Sequence, residues 1–224
     1  MHTSADMPTS RFNRTVHNIF VVLARLLLGY LFFTQLFWKL PPRFGCGGSY
    51  AFPTPSAQNY YNTNNSSGLC FWMGLESIFA SQPRRVLIAD MRPAGLPAVS
   101  VSITPLAKIN GFLLDNLFIP QIRIFGWLVW FTEFSVFLTM IFGIFTRLGA
   151  LAAIGISIQL YIGLANIPTP FEWEWTYGAI VALAFAMMAA APGRVFGIDA
   201  WLRKKLAGPA QRGNILAKIG LVLS

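Results

Sequence analysis

Two ionisable side chains lie deep inside apolar runs, where a charge has to serve a purpose. Residues 124–147 read "IFGWLVWFTEFSVFLTMIFGIFTR", and Glu133 is the sole charge between Ile124 and Phe145. Residues 17–38, "HNIFVVLARLLLGYLFFTQLFW", carry Arg25. A charge at the bilayer centre costs on the order of a few kcal/mol on insertion scales, so such residues mark ion pairs, ligand sites or proton relays. At helical spacing Gly126, Trp130, Glu133, Phe137 and Met140 share one face, and Arg25, Gly29, Phe32 and Lys39 cluster likewise. Counted from the inner ends of their runs, Arg25 lies about 12 Å deep and Glu133 about 18 Å, at 1.5 Å per residue. An arginine side chain covers the difference, so Arg25 and Glu133 are expected to pair. Two readings of that pair stand equally. It is a register device between helices, or it is the polar end of a site for a quinone or another small molecule. Gln159, flanked by Gly155 and Gly163 at four-residue spacing, is within reach of the same centre; that small-residue stripe, and Gly178, Ala182 and Ala186 further on, suit close helix packing.

The elements that must position these groups are membrane-length. Of 224 residues, 55% are hydrophobic and 11% charged, against about 25% charged in a soluble domain. The chain is expected to be an integral membrane protein, all-α, a four-helix transmembrane bundle with spans at about 17–40, 121–145, 148–167 and 176–192. The second and third spans are joined by little more than Thr146 and Arg147, which demands a tight antiparallel hairpin. The formal charge of +9 reads as a cytoplasmic face rather than a nucleic-acid surface. Arg11, Arg14, Arg147, Arg194, Arg203, Lys204, Lys205, Arg212 and Lys218 all fall in the tails or the 2–3 turn. Both termini, residues 1–16 and the basic tail 201–224, are therefore expected inside. "PTPFEWEW", with Glu172 and Glu174 and no Lys or Arg, is expected outside, with Trp173, Trp175 and Tyr177 as an interfacial aromatic belt. The first span reads as an uncleaved anchor, and "GNILAKIGLVLS" as a short helix on the inner membrane surface.

Residues 41–120 form a long, partly ordered outer loop. It holds both cysteines, Cys46 and Cys70. Facing an oxidising compartment they are expected to join; two free thiols are the alternative. "GLCFWMGLESIFA" is too short to span and reads as an interfacial or re-entrant helix. "AVSVSIT" alternates like a strand, and "INGFLLDNLFIP" reads as an amphipathic lead into the second span. Sequons at Asn64 and Asn65 read as chance.

Several chemistries are missing from the sequence. No CxxCH, no bis-histidine pair in the spans, no GxGxxG on a βαβ unit, no P-loop and no HExxH occur. No intrinsic haem, metal or nucleotide is expected, and electrons for any redox chemistry would come from a partner.

Three segments, "RLLLGYLFFTQLFWKL", "EFSVFLTMIFGIFTRLGAL" and "APGRVFGIDAWL", occur in order across the spans. Together they resemble the DoxX/DoxD family of four-helix membrane proteins. The long outer loop places the chain nearer the DoxD-like branch. The resemblance implies a subunit of a prokaryotic inner membrane linked to quinone, since DoxD is the membrane partner in thiosulfate:quinone oxidoreductase. It carries over Arg25, Lys39, Glu133, Arg147 and Asp199 as polar positions, with Gly29 and Gly143 as structural ones, and assigns none a catalytic role. Two functions stay open: a quinone-facing subunit of an electron-transfer enzyme, or a non-catalytic accessory or scaffold subunit of a large respiratory or photosynthetic complex. A small-solute transporter is disfavoured by the absence of broken helices or an inverted repeat.

Overall fold

The computed structural model describes residues 11–47, 50, 52–53, 68–168 and 171–224. Asn64, Asn65, His2 and most of the N-terminal tail lie outside the described residues. The chain is mostly helical: α1 Arg11–Leu36, α2 Leu69–Phe79, α3 Thr104–Leu113, α4 Ile122–Phe142, α5 Thr146–Leu164, α6 Glu174–Ala190, α7 Ile198–Gln211 and α8 Ile215–Leu223. Two short antiparallel strands, β1 Arg85–Ala89 and β2 Val99–Ser102, form the one sheet among the described residues. Three helices are long and apolar enough to cross a membrane: α1 with its extension to Lys39, α4 and α5; α6, at 17 residues, is apolar but shorter.

Helices α1, α4, α5 and α6 enclose one apolar core. Leu28 and Phe32 of α1, Val136 and Met140 of α4, Ala150, Ala153 and Ile154 of α5, and Ala184 and Met187 of α6 are all buried in it. α1 and α4 run antiparallel with no room to spare. A Cβ added at Gly29 would meet Met140 Cβ at 3.0 Å. In the other small stripes Gly163 alone is packed as tightly, against Glu76. Gly155 has open space where a Cβ would go, and Ala182 and Ala186 are exposed. The face that α6 turns inward carries Ala184 and Met187 instead.

The described residues between 41 and 120 fold over one end of these helices as a cap. Cys46 and Cys70 are joined, with Cα atoms 5.2 Å apart. Beside the disulfide two backbones touch: Gly68 N–H donates to Gly45 O (3.0 Å) and Leu69 N–H to Phe44 O (3.0 Å). Gly45 has φ +72°, and a Cβ on it would lie 2.6 Å from Gly68 Cα, so only glycine fits. Phe44 is fully buried, its ring pressed where a Cβ at Gly126 would be. Eight of the eleven residues of α2 are buried, because it packs against α3, α5 and the helical turn Leu114–Phe118. Arg84, 2% exposed, donates to Gly163 O and Ala165 O (both 2.6 Å), satisfying the C-terminal carbonyls of α5. Glu174 accepts from Leu87 N–H (2.9 Å) and Asn166 Nδ2 (2.8 Å), tying the β-hairpin to the start of α6.

At the opposite end, α7 runs unbroken through residues 200 and 201 and pairs with α8. Arg194 donates to Ser224 O (2.8 Å) and Arg203 to Leu221 O (2.8 Å), holding the last turn of α8. Ile215, Leu216 and Val222 of α8 are exposed.

Candidate functional site

The polar residues singled out in the sequence fall into two groups at opposite ends of the core. At the α7 end, Asp199 is fully buried. It accepts from Phe145 N–H (2.6 Å), Thr146 N–H (3.0 Å) and Thr146 Oγ1 (2.8 Å), while its own N–H donates to Gly143 O (2.8 Å). A carboxylate from α7 thus caps the N-terminus of α5, where the helix dipole favours negative charge. Gly143 ends α4 at φ +64°, and a Cβ there would lie 2.3 Å from Arg25 Nη1. Arg25, 3% exposed, donates from Nη2 to Phe196 O (3.1 Å). Arg147 stands nearby and reaches Val222 O at 3.4 Å. This group is a lock on the α4–α5 turn.

Arg25 therefore does not pair with Glu133. Along the antiparallel α1–α4 contact, Arg25 faces Gly143, Gly29 faces Met140 and Ile141, and Lys39 faces Glu133. The fourteen residues from Arg25 to Lys39 span about 21 Å, far beyond an arginine's reach. Depth counted from the span ends fails because the two inner ends are not level: Arg25 stands beside Gly143 at the end of α4, so α1, which begins at Arg11, runs well past the α4–α5 turn.

At the cap end the remaining groups converge. Lys39 Nζ donates to Glu133 Oε1 in a direct ion pair; Glu133 is 2% exposed and Lys39 7%. Glu133 Oε2 is buried with no donor. Glu76 of α2, also 2% exposed, accepts at Oε2 from Gln159 Nε2 (2.6 Å) and Asn110 Nδ2 (2.7 Å). A Cβ at Gly163 would lie 2.1 Å from that oxygen, so glycine there makes room for the carboxyl group. Burial pushes the Glu76 carboxyl up to about 8, against the opposing pull of its two amide donors, Arg84 and Lys39. Tyr177 is not part of an exposed belt. It is half-buried and donates to Glu172 Oε2 (3.1 Å), whereas Trp173 and Trp175 are exposed.

These groups line one cavity of about 500 Å³ between α1, α4, α5 and α6, roofed by α2. Lys39, Glu133, Glu76, Gln159, Tyr177 and Glu172 supply its polar wall. The rest is apolar and aromatic, including Trp38, Trp72, Phe118 and Phe125. Exposed Gln35, Trp38, Leu128 and Thr176 form its rim, so it opens to the surface. A mostly apolar hollow with a few convergent polar groups is the form of a small-molecule site. Its hydrogen-bonding capacity is unspent at Glu133 Oε2 and at the remaining N–H groups of Lys39. Among the described residues no three His, Cys, Asp or Glu side chains converge as a metal would need.

Sequence reasoning singles out Lys39, Glu133 and Gln159, which the fold brings together, and Arg25, which it does not. It passes over Glu76, although Glu76 is the sole charge in "GLCFWMGLESIFA". The signal is the same one that marks Glu133.

No curated protein and no solved structure matches the chain. A family model, described as TQO small subunit DoxD, matches residues 100–223. The match runs from β2 through α8 and so includes Glu133, Gln159, Tyr177 and Asp199; α1, the disulfide and α2 precede it. More than half of the chain is matched, with the α4–α5 turn and its Asp199 lock inside the matched part, and the chain belongs to the DoxD family.

Proposed function

We propose that this chain is the quinone-linked membrane subunit of an oxidoreductase, of the thiosulfate:quinone type to which the family description refers, and that its cavity holds the quinone head group. α1, α4, α5 and α6 are then the four transmembrane helices of a prokaryotic inner membrane protein. The α7 end, rich in Arg and Lys, faces the cytoplasm with both termini, and the cap faces outward. The observation that carries this reading is the cavity itself: an apolar hollow of about 500 Å³ whose wall holds a buried ammonium–carboxylate pair with an orphaned oxygen.

The residues fit such a group. Lys39 offers N–H donors to a ligand carbonyl while Glu133 keeps it charged. Glu133 Oε2 accepts from a ligand hydroxyl. Trp38, Trp72 and Phe125 offer flat apolar faces, and the open rim leaves a way out for an isoprenoid tail. When bound, the quinone would supply a two-electron, two-proton acceptor. The chain's own part is to bind, orient and keep water from it, while a partner subunit carries the donor's chemistry.

The test is direct binding. A short-chain benzoquinone added to the full chain in mild detergent should quench Trp38 and Trp72 fluorescence saturably, and Lys39→Met should weaken binding at least tenfold. Lack of saturable quenching, with the protein still folded, would leave a scaffold role for the chain.

A further inference from the structure

We propose that Glu76 is the proton-exchanging group of this cavity, passing a proton between the bound ligand's oxygen and the face of the membrane on which the cap lies. This deepens the quinone-site reading and rests on it.

Among the described residues the salt bridges are Lys39–Glu133 and Arg92–Asp90, so Glu76 has no ion-pair partner. Every other group facing it can be named. From the end of α1 comes Lys39, already paired with Glu133 of α4. Ahead of β1 stands Arg84, whose Nη1 and Nη2 donate to Ala165 O and Gly163 O and whose Nε is buried without a partner. α6 presents Tyr177, bonded to Glu172. α3 and α5 present only the neutral amides of Asn110 and Gln159. A carboxyl group held by two neutral donors in an apolar hollow is tolerated in either state. Ionised, it accepts from both amides. Neutral, it has a free O–H to donate into the cavity. Burial favours the neutral form to about pH 8, so the group changes charge within the working range.

The direction of exchange follows from what lies on either side. Toward the cap, the layer over Glu76 is thin. Asn110 is half-buried, and the next residue of α2, Ser77, donates to exposed Asp115 Oδ1 at 2.6 Å. Toward the α7 end, Leu28, Val136, Met140, Ala150, Ala153 and Ala184 are all 0% exposed and make a dry apolar layer. A proton has a short way out through the cap and none through the core. As electrons from the partner subunit reduce the bound quinone, the Glu76 O–H bond would break and its proton move to the reduced quinone oxygen. The carboxylate left behind accepts from Asn110 and Gln159, and a proton from the cap-side solvent restores it.

The test uses the full chain and a short-chain benzoquinone as probe. Between pH 6 and 10 the wild-type affinity should fall once pH passes about 8, by about tenfold per pH unit. Glu76→Gln, which donates at every pH, should bind with a flat profile. Infrared difference spectra of the wild type should show a carboxylic-acid C=O band lost over the same range, whether or not the variant folds. In sealed vesicles both signals should follow the pH on the cap side. A flat wild-type profile, a slope kept by Glu76→Gln, a carboxylic-acid band that does not titrate, or response to the α7 side alone would each overturn the proposal while quinone binding stood. Absence of binding at every pH would instead overturn the quinone site itself.

Discussion

Replacing Lys39 by Met leaves Glu133 as a buried carboxylate without its counter-charge. Glu133 is 2% exposed and its second oxygen already lacks a donor. Breaking a buried pair from one side costs about 3–5 kcal/mol. Because this pair borders a cavity that opens to the surface, the lower end, about 3 kcal/mol, is the working figure. Glu133→Leu should cost a similar amount by stranding the ammonium. The double change Lys39→Met with Glu133→Leu removes both charges and should recover most of the loss, so the coupling between the two positions should be at least about 2 kcal/mol. Reversible unfolding in mixed micelles, followed by tryptophan fluorescence, measures each term.

The same cycle discriminates the register. Arg25 and Glu133 are separated along the helices by roughly 15–20 Å. Effects of residues that far apart add to within about 0.5 kcal/mol. Arg25→Met combined with Glu133→Leu should therefore be additive. A Lys39→Met cost under about 1 kcal/mol, or an Arg25–Glu133 coupling as large as that of Lys39 and Glu133, would refute the pairing described above.

Asp199→Asn keeps the shape but turns its amide NH2 toward one of the two backbone donors, Phe145 N–H or Thr146 N–H; stranding that donor should cost about 1–3 kcal/mol, read in the same unfolding assay. Gly163→Ala drives a methyl to 2.1 Å from Glu76 Oε2, so it should destabilise by about 1–3 kcal/mol and move the infrared carboxyl band of Glu76. Glu76 is raised from 4.5 to about 8 on folding. Its protonation stabilises the fold fully below pH 4.5, and that contribution is lost as pH rises to about 8. Wild-type stability relative to Glu76→Gln should thus fall by on the order of 5 kcal/mol across that window and then level off. Changing Cys46 and Cys70 both to Ser opens a loop with a sequence separation of 24, which should cost about 3.5 kcal/mol in the chain-entropy model and loosen α2 first, seen as faster amide exchange there.

What the sequence makes legible follows from what periodicity can encode. Apolar length marks α1, α4 and α5, and a short link dictates the antiparallel turn of α4 and α5, although it falls at residues 143–145 and Thr146 and Arg147 open α5. The helix ends are set by residues whose role is geometric: Gly143 at φ +64° closes α4, and Ala191 at φ +46° closes α6. Sequence does not say how far one helix overhangs its neighbour, and α1 runs past the α4–α5 turn, which is why Lys39 and not Arg25 meets Glu133. Glu76 escapes for a different reason. An eleven-residue helix has no membrane depth to argue from, so its carboxylate looks solvated until α3 and α5 are seen to close over it. Arg84 and Glu174 look like loop charges because their partners are backbone groups that no pattern reveals.

The two polar groups and the dry layer between them divide the labour of the fold. Asp199, Arg25 and Gly143 secure the turn where α4 becomes α5; both oxygens of Asp199 have donors, while Arg25 keeps Nε and Nη1 buried without partners. At the cap end the bonding is incomplete: Glu133 Oε2 has no donor, and Glu76 relies on two amides from separate helices. A buried polar group left unsatisfied costs stability, and such sites persist where function requires them. The Asp199 carboxylate is closed off at 0% exposure, whereas Glu133 and Glu76 border an open cavity. With six fully buried apolar residues between them, a change at Asp199 should alter the unfolding free energy without altering the pH at which Glu76 titrates. Infrared titration of the Asp199→Asn variant is the measurement that decides it. A shift in the Glu76 midpoint there would mean that the two ends communicate through the core after all.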